Sequence, residues 1–578
     1  MENIFIDFLP PWVETGLQPA FYDKESGTVL QQTARMYAKV NEIIKLFNKI
    51  SGDFTTLYNY VHDYFDNLDV QTEVNNKLDA MVEDGTMAEI INQEIFGELN
   101  TRIGAVEDDI TNNIKPDIQT NSNNITDLQT YTAKNTTDIN NLKLKEIRTK
   151  ESDRYYLMSN PLTNSWFSQF PIYQANDKRN YKIGYNLNSF KQPGNNTYYV
   201  DPTAPSSGTA GTAENPDNNI RLAHNRTTGG DTIILKAGIY RRSNFKFVDN
   251  SDHPTKSLNY IADGLVILTN SDELSWSQNE TYGNVYQATR SSIANVIDIR
   301  DAKNKVFSRL IQKSSIAECS TNIGSYYTDG TTVYVNIGEE VTNNKVVVNL
   351  STGTTPLSFM ASNLARQWYL ENLICLAGDR HIISAMSQTS YRGTLIAKGC
   401  YFLFATDANS ENGNGITLYG TNSLLVDCEA SFNGSDGISY KGYTGFKCNG
   451  VEINCKAASN GYNSNTQTSN GSTAHDGCLV LRYKGNYFNN RGANVCDVSD
   501  NTITANIECN AFDCIVQTNN SYDADFCAQQ AGTTMYLYNC FAKGYSAYNI
   551  YSYTGATVNV DNCEYNNTGG SGTINIAN

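Results

Sequence analysis

Six times between Cys400 and Cys563 the chain returns to a cysteine and runs through a similar short pattern of residues after it. Cys400 opens CYFLFATDANSENGNGI, Cys428 opens CEASFNGSDGI, and Cys455 opens CKAASNG, which after an insertion reaches DGCLVL. Cys509 opens CNAFDCIV, Cys540 opens CFAKGYSAYNI and Cys563 opens CEYNNTGGSGTINI. Apolar and polar residues alternate ahead of each cysteine, so every unit reads as strand, corner, strand. Near-regular units of this length are the mark of a solenoid, in which each turn buries its apolar face only against its neighbours. Equivalent positions then stack about 4.8 Å apart. A narrow interior column suits cysteine as a small apolar side chain.

The cysteine inventory agrees with that use. There are 13, an odd number, and 12 of them fall between Cys375 and Cys563. Their spacing matches neither a CxxC zinc pair nor a small disulfide framework. The alternative, a redox or metal role, has no spacing to support it. Reduced thiols in a core point to synthesis in a cytosol. The first ten residues, MENIFIDFLP, carry Glu2 and Asp7 and lack a basic start and apolar run, so they do not read as a secretory signal. No apolar stretch reaches the roughly 20 residues that cross a bilayer. A net charge of −17 argues against DNA or RNA as a partner.

The N-terminal part has a different period. Met36, Val40, Ile43, Phe47 and Ile50 form one helical stripe, and Phe54, Leu57, Val61, Phe65 and Leu68 form a second. Val74, Leu78 and Met81 continue in a third helix that stops at Gly85. From Leu99 onward the steps become heptads. Ile118, Ile125, Thr132 and Ile139 fill one column, and Asn121, Leu128, Asn135 and Leu142 fill the other. Little else there is apolar, which predicts a coiled coil, broken at Pro116. Ile in one column and Asn in the other resembles the coiled coils of trimeric phage fibres, and that resemblance implies three chains, hence a homotrimer. The expected organisation is a helical module over 1–98, a coiled coil over 99–150, a linker or neck over 151–195, and a β-solenoid over 196–578.

The stretch from Thr197, TYYVDPTAPSSGTAGTAENPDNNIRLAHNRTTGGDTIILKAGIYRR, resembles the opening of right-handed parallel β-helix proteins of the pectate-lyase-like superfamily. The likeness rests on Val200-Asp201-Pro202, then Gly230-Asp231-Thr232-Ile233, then Gly238-Ile239-Tyr240. SYYTDGTTVYVNI, from Ser325, resembles bacteriophage members of that group. VEDGTMAEIINQEIF, residues 82–96, resembles the adaptor regions of tail proteins from phages of Gram-positive hosts. Together these imply a phage tail spike: mainly β, a right-handed parallel β-helix behind an α-helical module and a trimeric coiled coil. They imply attachment to tail or baseplate proteins through residues 1–100, a bacterial surface glycan as the other partner, and a virion location reached by host lysis.

Chemistry in a solenoid comes from loops inserted at one corner of neighbouring turns. Against the short Cys428 unit, the Cys400 unit has extra residues that include Asp407 and Glu411. The Cys455 unit has a longer insertion, YNSNTQTSNGSTAH, ending at His475. Both flank Asp436, and SDG and HDG align Asp436 with Asp476 as a stacked pair. Stacked carboxylates push one pKa upward, giving the acid and base of glycoside hydrolysis, with His475 as another base or a sugar contact. The plain reading is that Asp-Gly is a turn dipeptide. A further insertion is expected around Arg491, Asp497 and Asp500, where Arg491, Asp497, Tyr483 and Tyr487 would bind sugar. Asp379, Arg380 and His381 form a weaker cluster. No cofactor is called for; the calcium used by lyases of the resembled superfamily stays open, because no convincing acidic cluster is seen. Three readings remain: a polysaccharide depolymerase, hydrolase ahead of lyase; a non-catalytic adhesin; and an architectural tail part.

Overall fold

One residue before each cysteine of the repeat, the backbone turns a corner in the left-handed region. Gly399, Asp427, Asn454, Glu508, Asn539 and Asn562 all have φ between 49° and 61°. The following cysteine points inward, and its thiol donates to a carbonyl of the turn before: Cys428 Sγ to Ala397 O at 3.4 Å, Cys455 Sγ to Leu425 O at 3.3 Å, Cys540 Sγ to Asn506 O at 3.2 Å. The column skips one rung, at Gly485. A Cβ there would lie 2.2 Å from Tyr487 Oη, so the tyrosine ring fills the missing slot. All 13 cysteines are free thiols.

The computed structural model describes residues 155–577 apart from 195, 206–208, 243–255, 352–356, 362–363, 379–380, 388–389, 407–412, 444, 463–468 and 516–522, together with the single residue Asn112. The helical module over 1–98 and the coiled coil over 99–150 lie outside the described residues. The described part is mainly β and is a parallel β-helix of the right-handed type with about 11 turns. Each full rung has three strands. The first face carries Asn422–Val426, Asn449–Ile453, Leu479–Tyr483, Ile503–Ile507 and their equivalents, paired in parallel and in register. The second face has short strands such as Glu429–Ser431, Lys456–Ala458 and Asn486–Phe488. The third is a nine-stranded parallel sheet from Leu357–Ala361 to Thr568–Gly569.

Two of the three outer faces are partly covered. Residues 155–190, within the span 151–195 expected as a linker or neck, form a three-stranded antiparallel sheet, Tyr155–Leu157, Ile172–Ala175 and Tyr181–Ile183. Its Trp166, Phe167, Phe170 and Tyr181 pack on Leu424, Val451, Leu481 and Ile507 of the first face. Residues 272–350 are an antiparallel insertion within the span expected as β-helix throughout. It contains the hairpin of Ser325–Thr328 with Thr332–Asn336, and its Ile297, Phe307 and Val347 pack against Ile374, Leu376 and Leu403 of the second face. The third face receives neither apolar cluster.

Inside the helix, one stretch is charged. Arg482 from the first face is fully buried between Glu452 and Asp497, at 3.4 Å and 3.0 Å. Ser472 Oγ donates to Glu452 Oε1 at 2.6 Å and Tyr487 Oη to Glu452 Oε2 at 2.7 Å, while Thr504 Oγ1 donates to Asp497 Oδ2 at 2.5 Å. At the corner between second and third faces, asparagine amides form a ladder. Asn433 Nδ2 donates to Asn460 at 3.0 Å, Asn460 to Asn490 at 2.8 Å, Asn490 to Asn494 at 2.9 Å, and Asn494 to the Asp525 carboxylate at 2.9 Å.

Candidate active site on the third face

Strand register fixes which side chains share the outer surface of the nine-stranded sheet. Ile438, Tyr440 and Ala474 belong to the core, so the alternate residues point outward. Two outward columns result, and a third position just ahead of the strands joins them, as the clustering of Ala493 with Cys496 and of Ala524 with Cys527 shows. In the rung of Ile438–Lys441 they hold Asp436, Ser439 and Lys441; in the next, Asn470, Thr473 and His475. The two rungs after that hold Ala493, Cys496 and Val498, then Ala524, Cys527 and Gln529. Tyr548, Tyr551 and Tyr553 come next. Toward the N-terminal end, Asn414, Thr417 and Tyr419 precede Asp436.

This register corrects the pairing of Asp436 with Asp476. Ile438 pairs with Ser472, so Asp436 sits opposite Asn470, at the entrance to its strand. Asp476 lies beyond His475, at the exit, and is exposed in a tight turn with φ 58°. The two Asp-Gly dipeptides occupy opposite ends of the strand, and the alignment on sequence ran one corner out of phase. Asp476 is therefore a turn residue stacked over Gly442, not a partner of Asp436. Asp436 itself is buried; Asn470 N donates to its Oδ1 at 2.8 Å and its own backbone N–H donates to Asn414 Oδ1 at 3.0 Å.

His475 stands in the outward column beside Lys441. Burial lowers its pKa, the neighbouring Asp436 carboxylate opposes that, and Lys441 adds to the lowering. The imidazole is accordingly held toward its neutral form, able to accept a proton or a hydroxyl hydrogen bond. Nearby, Ser439 Oγ, Thr473 Oγ1 and Asn470 Oδ1 are buried and have no hydrogen-bond partner among the described residues. Upstream, His381 contacts Thr417 Oγ1 at 3.1 Å through Nδ1 and Tyr419 Oη at 3.3 Å through Nε2.

The insertions leave from the corner that the repeat indicated. The connections 404–413 and 459–471 both enter the third face, on either side of the short 432–437 turn that carries Asp436. Asp407 and Glu411, and also Asp379 and Arg380, lie outside the described residues. Connection 513–523 is a third long one at this corner, hidden in sequence because the residues directly after Cys509 and Cys540 are alike in length and pattern. The base of 459–471 is clamped: Tyr462 Oη donates to Ala405 O at 2.9 Å, accepts from Asn295 at 3.0 Å, and Arg309 lies 3.6 Å from its ring centre.

Three of the four residues expected to bind sugar do not face this surface. Asp497 alternates inward and pairs with Arg482. Tyr487 is fully buried with its hydroxyl on Glu452. Tyr483 points the other way, under the antiparallel sheet of 155–190, with its hydroxyl on Tyr181 O at 2.7 Å. The stretch around Arg491 is an ordinary rung without an insertion. Arg491 does lie at the right corner, its Cβ packed close to Gly461 at the base of 459–471. Among the described residues no group of three or more His, Cys, Asp or Glu is placed to hold a metal ion, and no helix is long and apolar enough to cross a membrane.

No protein-family model and no curated protein matches the chain. Several solved structures show a weak likeness to it. A complex of XylC with xylose is 12% identical over 66% of this chain and 70% of that one, with a TM-score of 0.38. A glycoside hydrolase is 10% identical over 66% and 94%, at 0.31, and the pectate lyase Pel9A 14% identical over 64% and 79%, at 0.27. No site residue is carried over from any of them.

Proposed function

We propose that this protein is a homotrimeric phage tail spike that binds a bacterial surface polysaccharide on the third face and shortens it. Residues 1–98 would attach it to the tail and 99–150 would join the three chains, so that it reaches the outside in the virion after lysis. One observation supports the site above others. Ser439 Oγ, Thr473 Oγ1 and Asn470 Oδ1 are buried, with no partner among the described residues, beside Asp436 and His475, on the outer face that neither of the apolar clusters of the 155–190 sheet and the 272–350 insertion packs upon. Buried polar atoms left unpaired cost about 1–3 kcal/mol each, and the hydroxyls of a sugar can satisfy them. Cleavage needs an acid and a base across the glycosidic bond. Asp436 with Asp407 or Glu411 of the adjacent insertion would supply the carboxylates, and His475, held neutral, a base or a hydroxyl contact.

The adhesin reading has its own support, since Asp436 is already engaged by Asn470 as a turn residue would be. A depolymerisation assay separates the two. Full-length trimer is incubated with capsular and wall polysaccharides from Gram-positive strains, beside Asp436→Asn, His475→Gln and Asp476→Asn. Shortening by wild type and by Asp476→Asn, with binding but no shortening by Asp436→Asn, supports the enzyme. Equal binding by all four with no shortening leaves an adhesin. No binding at all removes both.

A further inference from the structure

We infer that the third face carries an aromatic saccharide subsite at Tyr545 and Tyr548, three rungs beyond His475, where a polysaccharide chain running along the helix axis would stack a sugar ring. The inference rests on the polysaccharide reading above and adds to it the direction of the bound chain and one of its anchoring points.

The outward columns change character in order. Asp436, Asn470, Ser439, Thr473, Lys441 and His475 make a polar start. Ala493 with Cys496, then Ala524 with Cys527, are small and form one low apolar patch, onto which the Gln529 amide folds from the column of His475, 3.2 Å from Cys496 Sγ and 3.6 Å from Cys527 Sγ. The next rung is tyrosine throughout. Register puts Tyr548 in the same column as Asp436 and Asn470, opposite Ala524, and Tyr551 opposite Cys527. At about 4.8 Å per rung, His475 and Tyr551 are about 14 Å apart along the axis.

The rings are held in place. Tyr548 and Tyr551 are 4.9 Å apart at 56°, and Tyr551 and Tyr553 4.9 Å apart at 59°. The final rung lacks a side chain opposite Tyr551: a Cβ on Gly569 would come within 2.4 Å of the Tyr548 ring, which lies against that bare backbone. Tyr545, in the same corner as the long insertions, is 93% exposed and Tyr548 36%. The Tyr545 backbone N–H donates to Asp513 Oδ1 at 2.8 Å, which fixes the turn although the ring is open. A held ring at Tyr548 and an open one at Tyr545, each with an apolar face and a polar rim, at the end of a floor whose other end has unpaired hydroxyls, match a ligand with apolar ring faces and hydroxyl edges. That is a pyranose. A second copy of the chain would instead require about 800 Å² per partner, more than two tyrosines at one corner offer.

The test uses full-length trimer and immobilised capsular and wall polysaccharides, with short oligosaccharides from the same polymers as a second probe. The variants are Tyr545→Ala/Tyr548→Ala and, as a milder pair, Tyr545→Leu/Tyr548→Phe; thermal melting and trimer mass are checked for each. Loss of one stacked ring is expected to weaken polymer binding about ten-fold. The Phe-containing pair should retain most binding, and oligosaccharides too short to span from His475 to Tyr548 should bind wild type and variant alike. Unchanged polymer affinity in a folded alanine variant overturns the subsite and leaves the His475 end standing. A changed oligomer mass instead assigns the tyrosines to a chain–chain contact and also overturns it. If wild type binds no polymer, the polysaccharide reading and the subsite fall together.

Discussion

Replacing Arg482 by methionine should destabilise the β-helix more than any exposed substitution on it. The guanidinium is fully buried between Glu452 and Asp497, and the burial cost of three charges is offset only while all three are paired. Without it, two carboxylates remain in the interior, one accepting from Ser472 and Tyr487, the other from Thr504. Breaking a buried ion pair from one side costs about 3–5 kcal/mol. Removing the charges together does not leave that penalty. Glu452→Gln/Arg482→Met/Asp497→Asn keeps the volume, leaves neutral amides for Tyr487, Ser472 and Thr504, and should recover most of the loss. Urea unfolding followed by tyrosine fluorescence, on wild type, the single variant and the triple variant, gives the two differences directly. An Arg482→Met variant within about 0.5 kcal/mol of wild type would refute the claim that this interior depends on the cation. A triple variant no better than the single would locate the cost in packing instead.

Three further outcomes are expected. Gly485→Cys, which completes the cysteine column on paper, should lower the melting temperature, since its Cβ would sit 2.2 Å from Tyr487 Oη and overpacking costs about 1–3 kcal/mol; a rise would show that the tyrosine does not own the slot. Burial raises the Asp525 carboxyl from 3.8 to about 6 although Asn494, Ser546 and Asn549 donate to it. An acid raised in the fold stabilises fully below its unfolded pKa and loses that contribution as pH climbs through about 6. Asp525→Asn should therefore flatten the stability profile between pH 4 and 6 by up to about 3 kcal/mol, read by urea midpoints at each pH. The ladder thiols of Cys428 and Cys540, pushed well above the usual thiol range by burial, should not react with a thiol reagent in the native state and should react in denaturant; native labelling at either would place it at the surface.

The winding of the chain was legible because its cause is repeated. Every rung needs a residue tolerating the left-handed region and then a small inward residue, and Gly399-Cys400, Asp427-Cys428, Asn454-Cys455 and Asn539-Cys540 write that requirement out in letters. The corner with long insertions emerged from the same alignment. The site did not emerge as well, for a reason of phase. Asp436 and Asp476 both precede glycine, yet one enters a strand of four residues and the other leaves one, and a dipeptide does not say which. Alternation inverted Asp497 for the same kind of reason: one step along the strand separates the outer Cys496 from the inner aspartate. Tyr483 and Tyr487 could not be assigned without knowing that residues 155–190 cover one face and that Gly485 leaves a hole on the inside. The switch to 155–190 as a packed sheet had a signal available, the aromatics Trp166, Phe167 and Phe170, which suit a covering layer better than a linker.

The misassigned residues nevertheless bear on the site. Cys496 and Asp497 are neighbours on one strand, so the outer floor beside His475 and the buried charge cluster are two sides of a single rung. Thr473 faces out while Ser472, one residue away, holds Glu452. Asp497 lies near enough to act on the His475 ring through the sheet, in the direction that favours the imidazolium, against the burial that lowers it. A solenoid rung constrained only by apolar columns can slip or breathe without changing what it buries, whereas Arg482 fixes the rungs of Glu452, Ser472 and Asp497 against one another through directional bonds. The interior charge therefore sits where the outer surface most needs a fixed register: under His475 and under Asn470 and Thr473, whose polar atoms without a partner among the described residues can serve a ligand only if their spacing does not drift.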